Sequence, residues 1–338
     1  MTNPIKHVVI IVKENHTFDN YFGAFPGANG TVLPQAPDQL PDPRHDHVAW
    51  LAAAQGAVHL GYGVKDIPGY WALAQQYTLC DNYFTDVASQ SEPNHLFLIA
   101  ANSPVIDNSS KSRASYQPVP PYALPSLPQA LQTAGRQWRG YADAHESYFS
   151  NFAALKGSHS LVPSAQFDAD VAKGFLPDVS WVYAPGGLSE HPGDRKGDLP
   201  VQPGMQWTLD RVLAVARSPL WASTAIFITW DDWGGWFDHV VPPSVQRWEG
   251  GGPAGYSGSQ FRYGARVPCL VVSPYANAGQ VNHDMFSHAS VVKFCLRLFQ
   301  LPAWNAPALQ PGDLSGDLFS CFDFTAPPRL GVPDPTPK

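Results

Sequence analysis

Two short clusters of oxygen-bearing side chains carry most of the chemistry that this 338-residue sequence offers. Glu14 and Asn15 follow the run His7-Val8-Val9-Ile10-Ile11-Val12-Lys13. Asp231 and Asp232 follow a second run, Thr224-Ala225-Ile226-Phe227-Ile228-Thr229-Trp230, and lead into Trp233-Gly234-Gly235-Trp236-Phe237-Asp238-His239. Continuous apolar runs read as strands buried on both faces, the kind found in parallel sheets. Ligand sites in such sheets open at the carboxyl ends of the strands, where both clusters fall. Adjacent aspartates repel each other unless a cation or protons compensate them. The pattern therefore predicts a hard metal ion or a polar substrate held by Glu14, Asn15, Asp231 and Asp232. The competing reading is structural, with Asn15 or Thr17 capping a short helix over residues 18–22, Asp232 serving as a cap and Asp231 pairing with an arginine. One device repeated on two distant strands favours the ligand.

A third cluster is Ser89-Gln90-Ser91-Glu92-Pro93-Asn94-His95-Leu96-Phe97-Leu98-Ile99. Pro in a first helical turn and Ser at an N-cap predict a helix from about Glu92 to Ala101 with Ser91 at its positive end. A hydroxyl there can be activated by the helix dipole and a metal, and the free amides can receive a phosphate. A plain cap produces the same pattern.

These residues, taken in order, resemble the bacterial phosphoesterase family, which includes phosphatidylcholine-hydrolysing phospholipases C and the respiratory-burst-inhibiting acid phosphatase of the alkaline phosphatase superfamily. The resemblance is carried by Ile5 to Val9, Glu14-Asn15, Phe18 to Gly23, Tyr70 to Ala74, Thr78 to Phe84, Pro93 to Phe97, Glu190-His191-Pro192, Asp231-Asp232 with Gly234-Gly235, Phe237 to Val240, and Ser273 to Ala276. It implies an α/β fold, an alkaline-phosphatase-like three-layer α/β/α sandwich with a mainly parallel central sheet. It also implies that Glu14, Asn15, Asp231 and Asp232 bind one divalent cation with Ser91, and that Ser91 is the nucleophile. His191 would contact the phosphoryl oxygens, and His45, His47 and His145 lie where further phosphate-contacting histidines are expected. The chain departs from the family pattern at His95, where phospholipase members commonly carry Arg, and at Trp233 and Trp236, which bracket the Gly-Gly pair.

The expected activity is hydrolysis of phosphate esters through a phosphoserine intermediate, of phospholipase C type on a phosphodiester or phospholipid headgroup. The alternatives are a broad-specificity acid phosphatase, a sulfatase or phosphonate hydrolase, and a non-catalytic ligand-binding relative. A sulfatase is disfavoured because no Cys-x-Pro/Ala-x-Arg segment supplies a formylglycine nucleophile. His239 or His283 is expected to protonate the leaving alcohol, since a near-neutral pKa suits that task. His283 and His288 keep a second metal site in view. All-oxygen ligation favours Ca²⁺, Mg²⁺ or Mn²⁺ over Zn²⁺, and no organic cofactor is expected. Trp233 and Trp236 are candidates to pack around choline, against the reading that they are loop anchors.

Composition fits a globular enzyme, at 44% hydrophobic and 14% charged residues. A formal net charge of −7 argues against a nucleic-acid-binding surface. Strands alternating with helices predict a mainly parallel sheet covered on both faces. Residues 1–324 are expected to form a single phosphoesterase domain and 325–338 a Pro-rich extended or disordered tail. Cys80, Cys269, Cys295 and Cys321 lack metal-type spacing and read as free thiols. No apolar run is long enough to span a bilayer, and the start reads as a strand rather than a signal peptide, so a cytoplasmic location is expected.

Overall fold

The computed structural model describes residues 3–37, 40–143, 147–193 and 201–337. In chain order the strands are β1 (His7–Lys13), β2 (Thr78–Cys80), β3 (Tyr83–Phe84), β4 (Trp138–Tyr141), β5 (Leu161–Val162), β6 (Val179–Tyr183), β7 (Thr224–Trp230), β8 (Gln246–Arg247), β9 (Gln260–Arg262), β10 (Cys269–Val272), β11 (Gln280–Asn282) and β12 (Phe286–Ser287). The helices are α1 (Phe18–Phe22), α2 (His47–Leu51), α3 (Ala53–Gly56), α4 (Pro68–Gln76), α5 (Ser91–Ala100), α6 (Leu127–Thr133), α7 (Gln166–Ala172), α8 (Val201–Ala216) and α9 (His288–Phe299).

The apolar runs become the centre of an eight-stranded sheet, in the order β11-β2-β10-β7-β1-β6-β4-β5. β1 pairs in parallel with both β6 and β7, while β10 runs antiparallel to its neighbours β7 and β2. All seven residues of β7, all five of β6 and six of the seven in β1 are buried. This is the pattern of strands covered on both faces. The helices flank the sheet in two groups, α5 with α6 and α9, and α7 and α4 with α8. The arrangement is the three-layer α/β/α sandwich expected.

Register is what positions the site. Lys13 lies opposite Trp230, the last pair of the β1–β7 ladder, and the Asp231 amide donates to the Lys13 carbonyl at 2.9 Å. Glu14-Asn15 and Asp231-Asp232 therefore leave the sheet at the same level. A one-residue slip would turn every side chain of β1 to the other face.

Beneath this edge lies a buried ion pair that sequence reading does not expose. The Lys13 ammonium, fully buried, stands 3.3 Å from Glu190 Oε1. It also donates to the carbonyls of Leu188 at 2.5 Å and Gly204 at 3.2 Å. The Glu190 carboxylate accepts from Tyr70 Oη at 2.6 Å, Tyr21 Oη at 2.8 Å and Trp230 Nε1 at 3.0 Å. Burial pushes the Lys13 pKa down, against the pull of Glu190. Every group here is satisfied, which is the condition for keeping charge in a protein interior.

Other sequence expectations shift in detail. Helix α5 begins at Ser91 with Gln90 as its N-cap, so Ser91 is the first helical residue rather than the cap. Helix α8 begins at Val201, the first described residue of its segment. Residues 325–337 take no helix or strand but are fastened to the body. Arg329 donates to the carbonyls of Gln76 and Ala276, and its guanidinium lies over the Tyr77 ring. All four cysteines are buried free thiols. Among the described residues no helix is long and apolar enough to cross a membrane.

Replacing Lys13 by Met leaves the Glu190 carboxylate buried without its cation. We expect a loss of about 3–5 kcal/mol of stability, read by urea denaturation. The double substitution Lys13→Met, Glu190→Gln should recover part of that loss, because it removes the uncompensated charge.

Candidate active site

The backbone at the end of β1 turns at once. Asn15 adopts a left-handed conformation with φ of 60°, and its amide donates to Asp231 Oδ1 at 2.9 Å. Asp231 Oδ1 also accepts from the Asp232 amide at 2.7 Å. On the β7 side, Gly234 has φ of 56°. A Cβ at that position would lie 2.5 Å from Asn15 Cβ and 2.6 Å from the Asn15 carbonyl oxygen, so only glycine lets the two strand ends approach this closely. The Gly234 amide donates to Asp232 Oδ1 at 2.7 Å.

Ser91 enters from the start of α5, and its Oγ donates to Asp232 Oδ2 at 3.1 Å. Asn94 fixes the approach to this hydroxyl. Its Oδ1 accepts from the Val87 amide at 2.8 Å, and its Nδ2 donates to the carbonyls of Val87 and Gln90. The Pro-Asn pair of the sequence motif thus shapes the loop before Ser91.

Two histidines complete the cluster. His45 Nδ1 donates to the Pro43 carbonyl at 2.7 Å and His191 Nδ1 donates to the Pro192 carbonyl at 2.7 Å. Each bond places the proton on Nδ1 and turns a neutral Nε2 lone pair toward the Asn15 carboxamide. Asn15 Nδ2 donates to His191 Nε2 at 3.2 Å and to His45 Nε2 at 3.5 Å. His45 Nε2 is 4.0 Å from Asp232 Oδ2. With Asn15 Nδ2 so engaged, its Oδ1 is left buried with no hydrogen-bond partner.

His95 is the site residue that motif reading misses, although the sequence flags it as a departure. Its Nε2 lies 3.3 Å from Asp231 Oδ2 and 3.7 Å from Glu14 Oε1. Its ring is held between Tyr148 and Tyr183, with centroids at 4.6 and 5.5 Å. Although burial works against a proton on His95, Asp231 and Glu14 raise its pKa to about 9. Burial and then the Asp231 charge push the Glu14 and Asp232 carboxyls up. Burial works the same way on Asp231, but His95 and the Asn15 amide hold that carboxyl well below the usual range.

The donor set fits a divalent cation. Asn15 Oδ1 and Asp231 Oδ2 are buried and accept no hydrogen bond from any described group. Glu14, His95 and Asp231 bring their ligand atoms within 4.8 Å of one another. Three carboxylates and a carboxamide oxygen converge where only partial positive compensation is present, which is the environment of a hard cation.

The other sequence candidates fall elsewhere. His47 opens α2 and its ring is tied to the Ala88 carbonyl and Ser259 Oγ, both at 2.7 Å, so its bonds are structural. His239 is bound by Nδ1 to Asp19 Oδ2 at 2.7 Å, beside the buried Arg266–Asp238 pair, with no contact to Ser91. His283 is exposed and bonded to Asp81. Buried His288 donates through Nε2 to the Asp231 carbonyl at 2.7 Å and accepts from Tyr83 Oη at 3.2 Å, so it braces the backbone of Asp231 from behind. His145 lies outside the described residues. Trp233 and Trp236 are 3% and 1% exposed and form no open aromatic rim. Trp233 Nε1 donates to the His45 carbonyl at 2.9 Å, and Trp236 stacks on His16, so both anchor loops of the site.

The model of the phosphoesterase family matches residues 5–44 and 37–302. Phospholipase C B of Mycobacterium tuberculosis is 28% identical, over 98% of this chain and 80% of that protein. The non-hemolytic phospholipase C of Pseudomonas aeruginosa is 28% identical, over 98% of this chain and 59% of that protein. Among solved structures, human ectonucleotide pyrophosphatase/phosphodiesterase 5 superposes with a TM-score of 0.54 at 8% identity, covering 94% of this chain and 100% of that one, a likeness of fold.

A carboxyl whose pKa is raised by folding stabilises the protein below its unfolded pKa and loses that contribution as pH rises through the folded value. Glu14 and Asp232 are of this kind. The protein in EDTA should therefore lose stability as pH climbs above about 4, and a divalent cation should reverse the loss. At saturating Mn²⁺ we expect Tm to rise by roughly 5 °C near neutral pH. The gain should be smaller at pH 5 than at pH 8 and absent in Asp231→Asn, as differential scanning calorimetry would show.

Proposed function

Because the chain belongs to the phosphoesterase family, we propose that this cluster hydrolyses a phosphate ester, in the manner of a phospholipase C, with Ser91 as nucleophile. The observation that carries the reading is the position of Ser91 Oγ, 3.1 Å from Asp232 at the start of a ten-residue helix. The hydroxyl has a carboxylate to receive its hydrogen bond and a helix dipole that favours its anionic form.

Glu14, Asn15, Asp231, Asp232 and Ser91 are the residues that would hold the cation. When bound, it supplies Lewis-acid polarisation of a phosphoryl oxygen and a lowered pKa for the attacking hydroxyl. Oxygen donors of this kind favour Ca²⁺, Mg²⁺ or Mn²⁺ over Zn²⁺. Ser91 Oγ, its proton passing to Asp232, attacks phosphorus in line as the bond to the leaving alcohol breaks, leaving a phosphoserine that water hydrolyses. His45 and His191, each with its tautomer set by a carbonyl, face the same space as the Asn15 amide. Protonated at Nε2, either donates to an equatorial phosphoryl oxygen as negative charge develops there. They contact Asn15, whereas His239 and His283 are bonded to Asp19 and Asp81, so the proton for the leaving alcohol is assigned to this pair.

The substrate is a small phosphate ester or a phospholipid headgroup. The phospholipase C names of the relatives favour the diester. The burial of Trp233 and Trp236 favours the second reading, a phosphomonoesterase, because it withdraws the two rings best placed to receive a quaternary ammonium group.

Ser91→Ala should lower kcat by about 10³-fold or more even at saturating cation, while Tm changes little. Turnover of p-nitrophenylphosphorylcholine ahead of p-nitrophenyl phosphate, with Mn²⁺ restored after EDTA, supports the phospholipase reading. The reverse order supports the phosphatase, and no turnover of either with any divalent cation removes the catalytic reading.

A further inference from the structure

His95 is unlike the other histidines around the site. His45 and His191 each donate a proton to a carbonyl, and His288 is bonded at both ring nitrogens. Both ring nitrogens of His95 are buried without a hydrogen-bond partner, and it is the one histidine of which this holds among the described residues. Its plane is set by Tyr148 and Tyr183 rather than by hydrogen bonds. An imidazole held in the interior by aromatic faces, with neither nitrogen bonded, retains a full desolvation cost that only a ligand or a proton relieves.

The spacing of its Nε2 indicates which. Ligand atoms about 2.1 Å from a common ion stand roughly 3.0–3.5 Å apart at octahedral or tetrahedral angles. The Nε2 is 3.3 Å from Asp231 Oδ2, itself buried and unbonded, and 3.7 Å from Glu14 Oε1. Three potential donors, from the ends of β1 and β7 and from α5, thus gather within 4.8 Å of one another, the Nε2–Asp231 spacing inside the expected range and the Nε2–Glu14 spacing just beyond it, without the alignment of a hydrogen bond.

We propose that His95 Nε2 is a direct ligand of the divalent cation, and that this nitrogen makes the site select a first-row transition-metal ion, Mn²⁺ among the hard ones, over Ca²⁺ and Mg²⁺. The inference rests on the cation-dependent phosphoesterase reading and deepens it. Oxygen ligands alone admit Ca²⁺ and Mg²⁺, whereas imidazole suits transition metals and contributes little to a hard ion that prefers oxygen.

The test is pulsed EPR of the full-length protein loaded with one equivalent of Mn²⁺, together with calorimetric titration of Mn²⁺ and Mg²⁺. Imidazole-nitrogen coupling to the bound Mn²⁺ is expected in the wild type and lost in His95→Gln. Mn²⁺ affinity should fall roughly 10-fold or more in that variant, with a smaller change for Mg²⁺. If His95→Gln does not fold, His45→Gln and His191→Gln assign the coupling by elimination, since His95 accounts for coupling that survives in both. Nitrogen coupling that is absent from the wild type, retained in His95→Gln, or lost in His45→Gln or His191→Gln overturns the proposal. In the first case His95 is a protonated counter-ion to Glu14 and Asp231. Coupled Mn²⁺ without turnover of any phosphate ester would instead overturn the function and leave the ligand in place.

Discussion

The pairing of β1 with β7 is the constraint from which the rest of the site follows. Two parallel strands end in register at Lys13 and Trp230, and each continues into an acidic dipeptide that cannot avoid the other. Three carboxylates meet in a space where the protein supplies three imidazoles and a few amides. Such a meeting is unfavourable in isolation, and the surrounding architecture holds it in place. Below it, Lys13 and Glu190 neutralise each other within a shell of tyrosines and a tryptophan. Behind it, His288 grips the Asp231 carbonyl. The electrostatic tension is concentrated at one point, where an ion or a phosphoryl group can use it.

Apart from His95, the histidines in and around this centre fall into two kinds, and the partners of their ring nitrogens separate them. Rings that are bonded at both nitrogens, such as His47 and His288, have no capacity left for a ligand and serve as braces. His45 and His191 give one proton to a carbonyl and hold the other nitrogen against the Asn15 amide, inside the site. Sequence types alone cannot make this distinction, because the choice depends on which carbonyl happens to lie beside Nδ1.

That explains the pattern of what was legible. The sheet, its parallel character and the convergence of Glu14, Asn15, Asp231, Asp232 and Ser91 could be read because each rests on a local signal: an apolar run, its polar end, and a helix start. The ordered set of motifs supplied the fold. His239 and His283 could not be placed because they belong to separate ion pairs with Asp19 and Asp81, formed by residues far away in the chain. The tryptophans near Gly234 were ambiguous because an aromatic residue beside a site serves equally as wall or as anchor, and burial decides. The Lys13–Glu190 pair was invisible because a lysine closing an apolar strand normally extends to solvent.

Asn15 meets two demands that are usually met by different residues. Its backbone must be left-handed, with φ of 60°, a shape that glycine takes freely and that asparagine and aspartate tolerate better than other side chains. Its side chain must keep a bare buried oxygen and present an N–H to two histidines. Glycine satisfies the first demand and has nothing for the second. Aspartate fits the fold but adds a further negative charge and takes away the donor. The position is therefore closed to gradual change: drift there has one acceptable letter, and any lineage that alters it must rebuild the turn and the charge balance together.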